Sequence, residues 1–402
     1  MALSGEKTYR VAIVGCRSRG KAAAVAYHAH PRTEVVGVCD LMQERRDSLG
    51  ELLGVEARFA DIDEMIRAVA PDIVVVATGT AFHYDLCMQA LEHGVNVEVE
   101  KPICIDLVQA DRMVAKAEEK GVVTAVHQQG RTGPAMRAVK AAYLEGRIGE
   151  LKYVSASDKG YYGGYGLLNI GTHLINAMLE LTGPCREVSA VALTGGRAIE
   201  PADVRHAPAG MGTIVGEHIT ATLSFDRGVT GTLRQHRLEP IDPDGDAIEF
   251  YGEEGRLFWH ENGSAFWLPT PHFIPRGGKA EWQELPTQMP EHFDPSRIVG
   301  PERTSTRDDY CFVDEFVRAL DERGEHPSNW REGRHVLEVM MGIFESAAYR
   351  RPVRLPQERR DHPLLRWREE AGLGAPEQGP IAYAEWLEKE DERLRAVTGP
   401  AL

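Results

Sequence analysis

Short unbroken apolar runs alternate with helix-like stretches over the first third of the chain. Tyr9–Val14 ends at Gly15, and Glu34–Asp40, Ile73–Ala77, Val95–Val99 and Val122–Val126 follow. Runs without polar interruption suit strands buried on both faces. Between them Gly20–Ala29, Leu41–Gly54, His83–His93 and Leu107–Lys120 read as helices, the third stopped by Gly94. This alternation predicts an α/β fold, a Rossmann-like doubly wound parallel sheet with right-handed crossovers. Its ligand belongs at the carboxyl ends of the strands.

The pattern then changes. Arg131–Gly146 reads as a helix and Leu151–Ser157 as a strand, Gly160–Gly171 is rich in glycine and tyrosine, and Thr172–Leu181 is a helix stopped by Gly183 and Pro184. Apolar and polar residues alternate through Val188–Leu193, Glu217–Phe225, Val229–Arg237, Ala247–Tyr251 and Arg256–Trp259. Period two with turn signals between runs predicts an open, mostly antiparallel sheet. The Pro-rich stretch Trp267–Asp308 lacks periodicity and reads as a long loop. Asp309–Leu320 and Trp330–Tyr349 read as helices, and Pro352–Pro356 as extended. The charged tail Gln357–Leu402 is partly helical at Ala382–Arg395. Its Leu364, Leu365, Trp367, Tyr383, Trp386 and Leu387 require a docking surface on this subunit or a neighbour. Three parts follow: a Rossmann-like domain over 1–130, an α+β domain over 131–356, and an extension over 357–402.

Composition narrows the partners. The 402 residues carry 46 basic and 61 acidic side chains, a net charge of −15. That balance repels nucleic-acid phosphates and acidic membrane surfaces. Apolar runs of about five residues fall far short of a membrane span, and Met1–Arg10 has no apolar signal core. Six dispersed cysteines without a C-x-x-C pair fit reduced thiols in the cytoplasm.

Candidate chemistry sits at the predicted strand ends. Gly15-Cys-Arg-Ser-Arg-Gly20 keeps the first and third glycines of the dinucleotide fingerprint G-x-G-x-x-G and puts Arg17 at the second. The first glycine permits the tight turn and the third permits close helix–strand packing. Arg17, Ser18 and Arg19 are the remaining phosphate-loop candidates. Asp40 closes the second strand, where a carboxylate accepts the ribose hydroxyls of NAD and repels the 2′-phosphate of NADP. His28 and His30 form an H-x-H pair at a helix C-terminus, where they complement the helix dipole; no metal is expected.

Three segments together resemble the Gfo/Idh/MocA oxidoreductase family: the opening with Gly15, Gly20 and Asp40; Ala77-Thr78…His83 with Val97-Glu-Val-Glu-Lys-Pro102; and Asn169-Ile-Gly-Thr-His173-Leu-Ile-Asn176. The resemblance covers about residues 8–356. It implies a dinucleotide-binding domain, a second domain built on an open antiparallel sheet, and a homo-oligomer, a dimer or tetramer, formed through that sheet. It places Thr78, His83, Glu100, Lys101 and Gln128 on the cofactor side. Lys101 would sit where nicotinamide meets substrate, Pro102 would shape the turn, and His173 would be the general acid/base. Arg131, Tyr161, Tyr165 and Asn169 are substrate-side candidates with Lys101 and His173, and Asn169 also joins those two in the expected catalytic set.

The residue types suit oxidation of a secondary alcohol, in which histidine takes the proton and a lysine ammonium stabilises the developing alkoxide. The expected function is NAD-dependent oxidation of a hydroxyl on a sugar, sugar derivative or cyclitol. Two alternatives stay open: an NAD-retaining glycoside hydrolase or lyase working by transient oxidation, and a module that holds the dinucleotide without turnover. Asn169 and Asn176 stand where the family has acids. An amide adds no charge beside His173, so the expectation is a histidine that stays neutral to lower pH.

Overall fold

The computed structural model describes residues 7–261, 263–271, 281–301 and 305–398. The chain opens with β1 (Tyr9–Val14), α1 (Ser18–Ala29), β2 (Thr33–Cys39), α2 (Gln43–Leu53), β3 (Arg58–Phe59), α3 (Ile62–Val69), β4 (Ile73–Val76), α4 (His83–Glu92), β5 (Asn96–Glu100), α5 (Leu107–Lys120), β6 (Thr124–His127) and α6 (Pro134–Leu144). Next come β7 (Leu151–Ser157), α7 (Gly163–Gly166), α8 (Thr172–Thr182), β8 (Cys185–Thr194), β9 (Arg197–Ala198), β10 (Arg205–His206), β11 (Thr213–Ile214), β12 (His218–Phe225), β13 (Thr230–His236), β14 (Ala247–Gly252), β15 (Arg256–His260), β16 (Ser264–Leu268) and β17 (Gln283–Glu284). The chain continues through α9 (Thr306–Glu322), α10 (Trp330–Tyr349), β18 (Val353–Arg354), α11 (Pro363–Glu370) and α12 (Tyr383–Thr398).

Two compact units result. The first comprises Met1–Cys104, Gln109–Arg137 and Thr287–Arg334; the second comprises Ile105–Val108, Ala138–Pro286 and His335–Leu402.

The first unit is a six-stranded parallel sheet in the order β3-β2-β1-β4-β5-β6, the doubly wound topology. Every residue of β4, Ile-Val-Val-Val, is buried, as its unbroken apolarity dictates. The strand β3 and the helix α3 stand between β2 and β4 in addition to the elements expected from the sequence. The helix α3 buries Ile62, Met65, Ile66 and Val69, spaced three and four apart, and Asp61 caps it by accepting the Glu64 N–H at 2.9 Å. Each such side chain taken from water contributes about 1.5–3 kcal/mol. α9 packs on α1 and buries Tyr310, Phe312 and Phe316.

The second unit is built on a sheet in the order β17-β16-β15-β14-β7-β13-β12-β8-β18, with β9 paired to β8. Its pairs are antiparallel except β7 with β13. β12 alternates buried and exposed positions, so Ile219, Ala221, Leu223 and Phe225 face the core.

Three expectations change here. The stretch Trp267–Asp308 is not one unstructured loop: β16 runs to Leu268, β17 pairs with it, and α9 starts at Thr306. Its residues 272–280 and 302–304 lie outside the described residues. Gly160–Gly171, expected to precede regular structure, is helical from Gly163, with a π-helical turn over Leu167–Gly171 leading into α8. The reason is close packing. A Cβ on Gly166 would sit 2.6 Å from an Asp158 carboxylate oxygen and 2.8 Å from Gln235 Oε1, so a bulkier residue would lift the helix off the sheet. The tail also holds a second helix, α11, that periodicity did not reveal.

Both tail helices pack within the second unit. Leu364 and Trp386 are buried, Tyr383 stacks on Tyr165 at 4.8 Å, and Asp391 pairs with Arg237. No described helix is long and apolar enough to cross a membrane.

Candidate active site

In the first unit the turn after β1 has the geometry that dinucleotide binding requires. Gly15 has φ +91°, and a Cβ there would lie 2.4 Å from the Ala77 carbonyl oxygen. A Cβ on Gly20 would lie 1.7 Å from the Gly15 carbonyl oxygen. Only glycine fits either place. α1 begins at Ser18 with no side-chain cap and no acid in its first turn, so its N–H groups and positive dipole end suit a pyrophosphate.

At the end of β2, Asp40 accepts the Cys16 N–H at 2.8 Å and the Met42 N–H at 2.9 Å, one on each oxygen. An ionised carboxylate oxygen takes two donors, so each retains capacity for a ribose hydroxyl. The cradle and the acid therefore fit NAD. Bound there, NAD supplies a hydride acceptor.

The other cofactor-side candidates divide into two groups. Arg17 and Ser18 are exposed at the turn. Arg19 turns inward, donating to Glu100 at 2.8 Å and Asp309 at 3.1 Å. His83 is fully buried; its Nδ1 lies 2.9 Å from the Pro102 carbonyl oxygen and its Nε2 3.2 Å from that of Thr78. It braces the turn carrying Lys101 against the segment after β4, and burial holds its pKa below the usual value. The Lys101–Pro102 peptide is cis. Lys101 donates its backbone N–H to Glu100 Oε2 at 3.2 Å. Gln128 is buried after β6, and Arg131 donates to Glu332 at 2.7 Å.

Sequence reasoning missed the charge network behind Lys101. Glu100 lies beside His127 in the β5–β6 register, with Glu98 two positions earlier on the same strand face. His127 Nδ1 is 2.6 Å from Glu98 and Nε2 is 2.8 Å from Asp309, while Tyr27 donates to Glu98 at 2.6 Å. Burial alone would push the His127 pKa down. The Glu98 charge and hydrogen bonds to Asp309 and Glu98 prevail and raise it to about 10, so the ring is an imidazolium. Burial would likewise raise Glu100 and Asp309, but Arg19 and His127 hold both below the usual carboxylate range, aided at Glu100 by Lys101. The alternating V-E-V-E of β5 was the available signal.

In the second unit His173 lies in the first turn of α8, buried, with Asn169 half-buried in the π turn and Asn176 fully buried. The acid missing from the local motif comes from elsewhere: Glu261, just past β15, places Oε1 3.5 Å from His173 Nδ1. Glu261 senses the charge of Asp246, which lies 3.3 Å from Lys159 Nζ. Burial raises the pKa of both acids, and it lifts nearby Asp158 to about 7. The expectation that His173 has no carboxyl beside it is therefore corrected. No local spacing could have found Glu261. Tyr161 and Tyr165 meet edge to face at 5.5 Å, and both rings contact Tyr383.

The comparisons with known proteins agree with this architecture. Residues 9–128 match the family model described as an oxidoreductase family with an NAD-binding Rossmann fold, and residues 136–258 match the GFO/IDH/MocA C-terminal domain. The chain belongs to the Gfo/Idh/MocA family of oxidoreductases and carries that family's NAD-binding domain. Among similar proteins is D-apiose dehydrogenase from Paraburkholderia graminis, 33% identical over 143 residues, 36% of this chain and 38% of the relative. The match thus spans well under half of that relative's length. scyllo-Inositol 2-dehydrogenase (NAD(+)) from Bacillus subtilis is 26% identical over 61% of this chain and 73% of its own. Levoglucosan dehydrogenase, solved with NADH and levoglucosan, shares the fold with a TM-score of 0.71 at 19% identity, covering 87% of this chain and 100% of its own.

Proposed function

We propose that this oxidoreductase uses NAD to oxidise a secondary hydroxyl of a sugar, sugar derivative or cyclitol. The observation that carries the reading is the buried His173–Glu261 pair, a proton acceptor backed by a carboxyl group, in a chain that also holds a dinucleotide cradle. With Nδ1 toward Glu261, Nε2 of His173 takes the hydroxyl proton. The Lys101 ammonium stabilises the alkoxide as it forms. Bound NAD would supply the acceptor for the hydride that leaves the hydroxyl-bearing carbon, while His173 holds the proton and Lys101 the developing negative charge. Asn169, Arg131, Tyr161 and Tyr165 are assigned to substrate hydroxyls and sugar faces. Asp40 sets the preference for NAD over NADP. The same reading makes the protein a cytoplasmic dimer or tetramer joined through the sheet of the second unit; all six cysteines are buried and unbridged, as reduced thiols would be.

The test is a panel of sugars and cyclitols offered to purified protein with NAD, followed by both NADH absorbance and product analysis. The expected result is a ketone formed in step with NADH. Glycoside cleavage without net NADH would overturn the reading in favour of transient oxidation.

A further inference from the structure

The helix α1 leaves the dinucleotide turn and ends at the amino ends of the parallel strands, just before β2, where His30 caps its C-terminus. The H-x-H pair separates there. His28 stays half-buried, while His30 is buried and meets two residues far away in sequence. His30 Nε2 lies 3.2 Å from His292 Nε2 and 3.4 Å from Asp314 Oδ1; His292 Nε2 lies 3.0 Å from the same carboxylate oxygen. Asp314 comes from α9 and His292 from the Pro-rich stretch. All three belong to the first unit.

We propose that His30, His292 and Asp314 form a binding site for a late first-row divalent cation, of which Zn²⁺ is the representative. The three donor atoms form a triangle with edges of 3.0–3.4 Å. Ligands about 2.0–2.1 Å from a tetrahedral ion stand about 3.3 Å apart. Two imidazole nitrogens and one carboxylate oxygen are the donor set such ions take, with water completing the shell.

Without a cation the triangle is crowded. The Arg32 N–H reaches His30 Nδ1 at 3.2 Å, which keeps the ring proton on Nε2, facing His292 Nε2. A cation replaces that proton and turns the contact into shared ligation. The His30 proton then moves to Nδ1, and the Arg32 turn gives way. Around the donors, Tyr310 packs against both imidazoles with centroids 5.4 and 5.9 Å away and donates its hydroxyl to the His292 carbonyl at 3.3 Å. Arg137 stands 3.7 Å from the second Asp314 oxygen. His292 is partly exposed, so a cation has an entry path and room for water.

The site does not touch the dinucleotide turn. Its effect is to clip the segment carrying His292 to α1 and α9, joining three remote stretches in one coordination shell.

Full-length protein stripped by chelator and dialysed would be titrated with Zn²⁺ against a chromophoric competitor, and with Co²⁺ while visible absorbance is followed. The wild type is expected to bind one equivalent, give a cobalt band, and melt at higher temperature with Zn²⁺. His292→Ala and Asp314→Asn should lose the band and bind at least tenfold more weakly, with metal-free melting temperatures like the wild type's. His28→Ala should bind as the wild type does. A wild type that binds no tighter than His292→Ala, or that gives no cobalt band, would overturn the proposal and leave a hydrogen-bonded cluster only.

Discussion

Ionisable groups are buried in both units, but they are handled in opposite ways. Behind Lys101 the charges are fixed: Arg19, Glu100, His127 and Asp309 sit with pKa values driven away from neutrality by mutual pairing. Around His173 the acids Asp158, Asp246 and Glu261 are driven toward neutrality by burial with too little compensating charge. The first arrangement holds a constant field, which suits stabilising an alkoxide. In the second, burial favours the uncharged form of the acids, which brings them closer to the range of acid–base work. The two clusters belong to separate units of the chain, and the proposed oxidation calls on both kinds of chemistry.

The most forceful way to break this division is to remove its two central groups. Lys101→Ala and His173→Ala should each lower kcat by about 10²–10⁴ with NAD affinity nearly intact. Only His173→Ala should also erase the acidic limb of the pH–rate profile. A limb that vanishes in the lysine variant and survives in the histidine variant would reverse the assignment.

Next in size is His127→Gln, which leaves Glu98 buried without its cation and Asp309 paired with Arg19 alone. Loss of one partner from such a cluster costs about 3–5 kcal/mol. The His127 pKa is raised to about 10, from about 6.5 in the unfolded chain. Its contribution is therefore complete below about pH 6.5 and lost as pH rises through about 10. Denaturant melts should show the gap between wild type and variant closing over that interval. A gap constant with pH would mean that His127 is not part of a fixed-charge network.

Asp40→Ala addresses the cofactor itself. Discrimination between NAD and NADP should fall about tenfold, equivalent to about 1.4 kcal/mol, as read by titrating both dinucleotides. Wild-type protein that binds NADP more tightly would refute the assignment of Asp40.

The subtlest change is Glu261→Gln. A carboxylate beside His173 favours the imidazolium, so its removal should move the acidic limb of kcat/KM to lower pH by up to about one unit. An unmoved limb with an altered KM would assign Glu261 to substrate or packing instead.

The parallel sheet was legible because its signals are local: unbroken apolar strands, two glycines at fixed spacing and an acid at a strand end. α3 was equally legible from Ile62, Met65, Ile66 and Val69, and its omission was an oversight of periodicity. The helix over Gly163–Gly171 was not legible. Glycine disfavours helix intrinsically, and what keeps it there is close packing on Asp158, just past β7, and on Gln235 of β13. The site shows the same limit. Gly15, Gly20, Asp40, Lys101 and His173 announce themselves by motif. Glu261 lies 88 positions beyond His173, and Asp309 lies 182 beyond His127. Only tertiary folding joins them. Arg19 illustrates the converse: its position in the loop suggested a phosphate, and buried acids claimed it instead.

The link between α12 and the tyrosines ahead of His173 bears on how the protein is made. Tyr162 donates its backbone N–H to the Tyr383 hydroxyl at 2.9 Å across a sequence separation of 221 residues, and Trp386 donates to the His206 carbonyl at 2.8 Å. A ribosome adding about 5–20 residues per second takes roughly 10 to 45 s to cover that interval. Throughout it the Tyr161–Tyr165 segment is already synthesised and lacks its cover. A nascent chain whose first sheet has folded therefore waits for its late residues before the histidine-bearing helix is secured. A message cut short ahead of codon 383 yields a polypeptide that has the glycine turn after β1 but lacks the Tyr383 and Trp386 contacts over the segment ahead of His173.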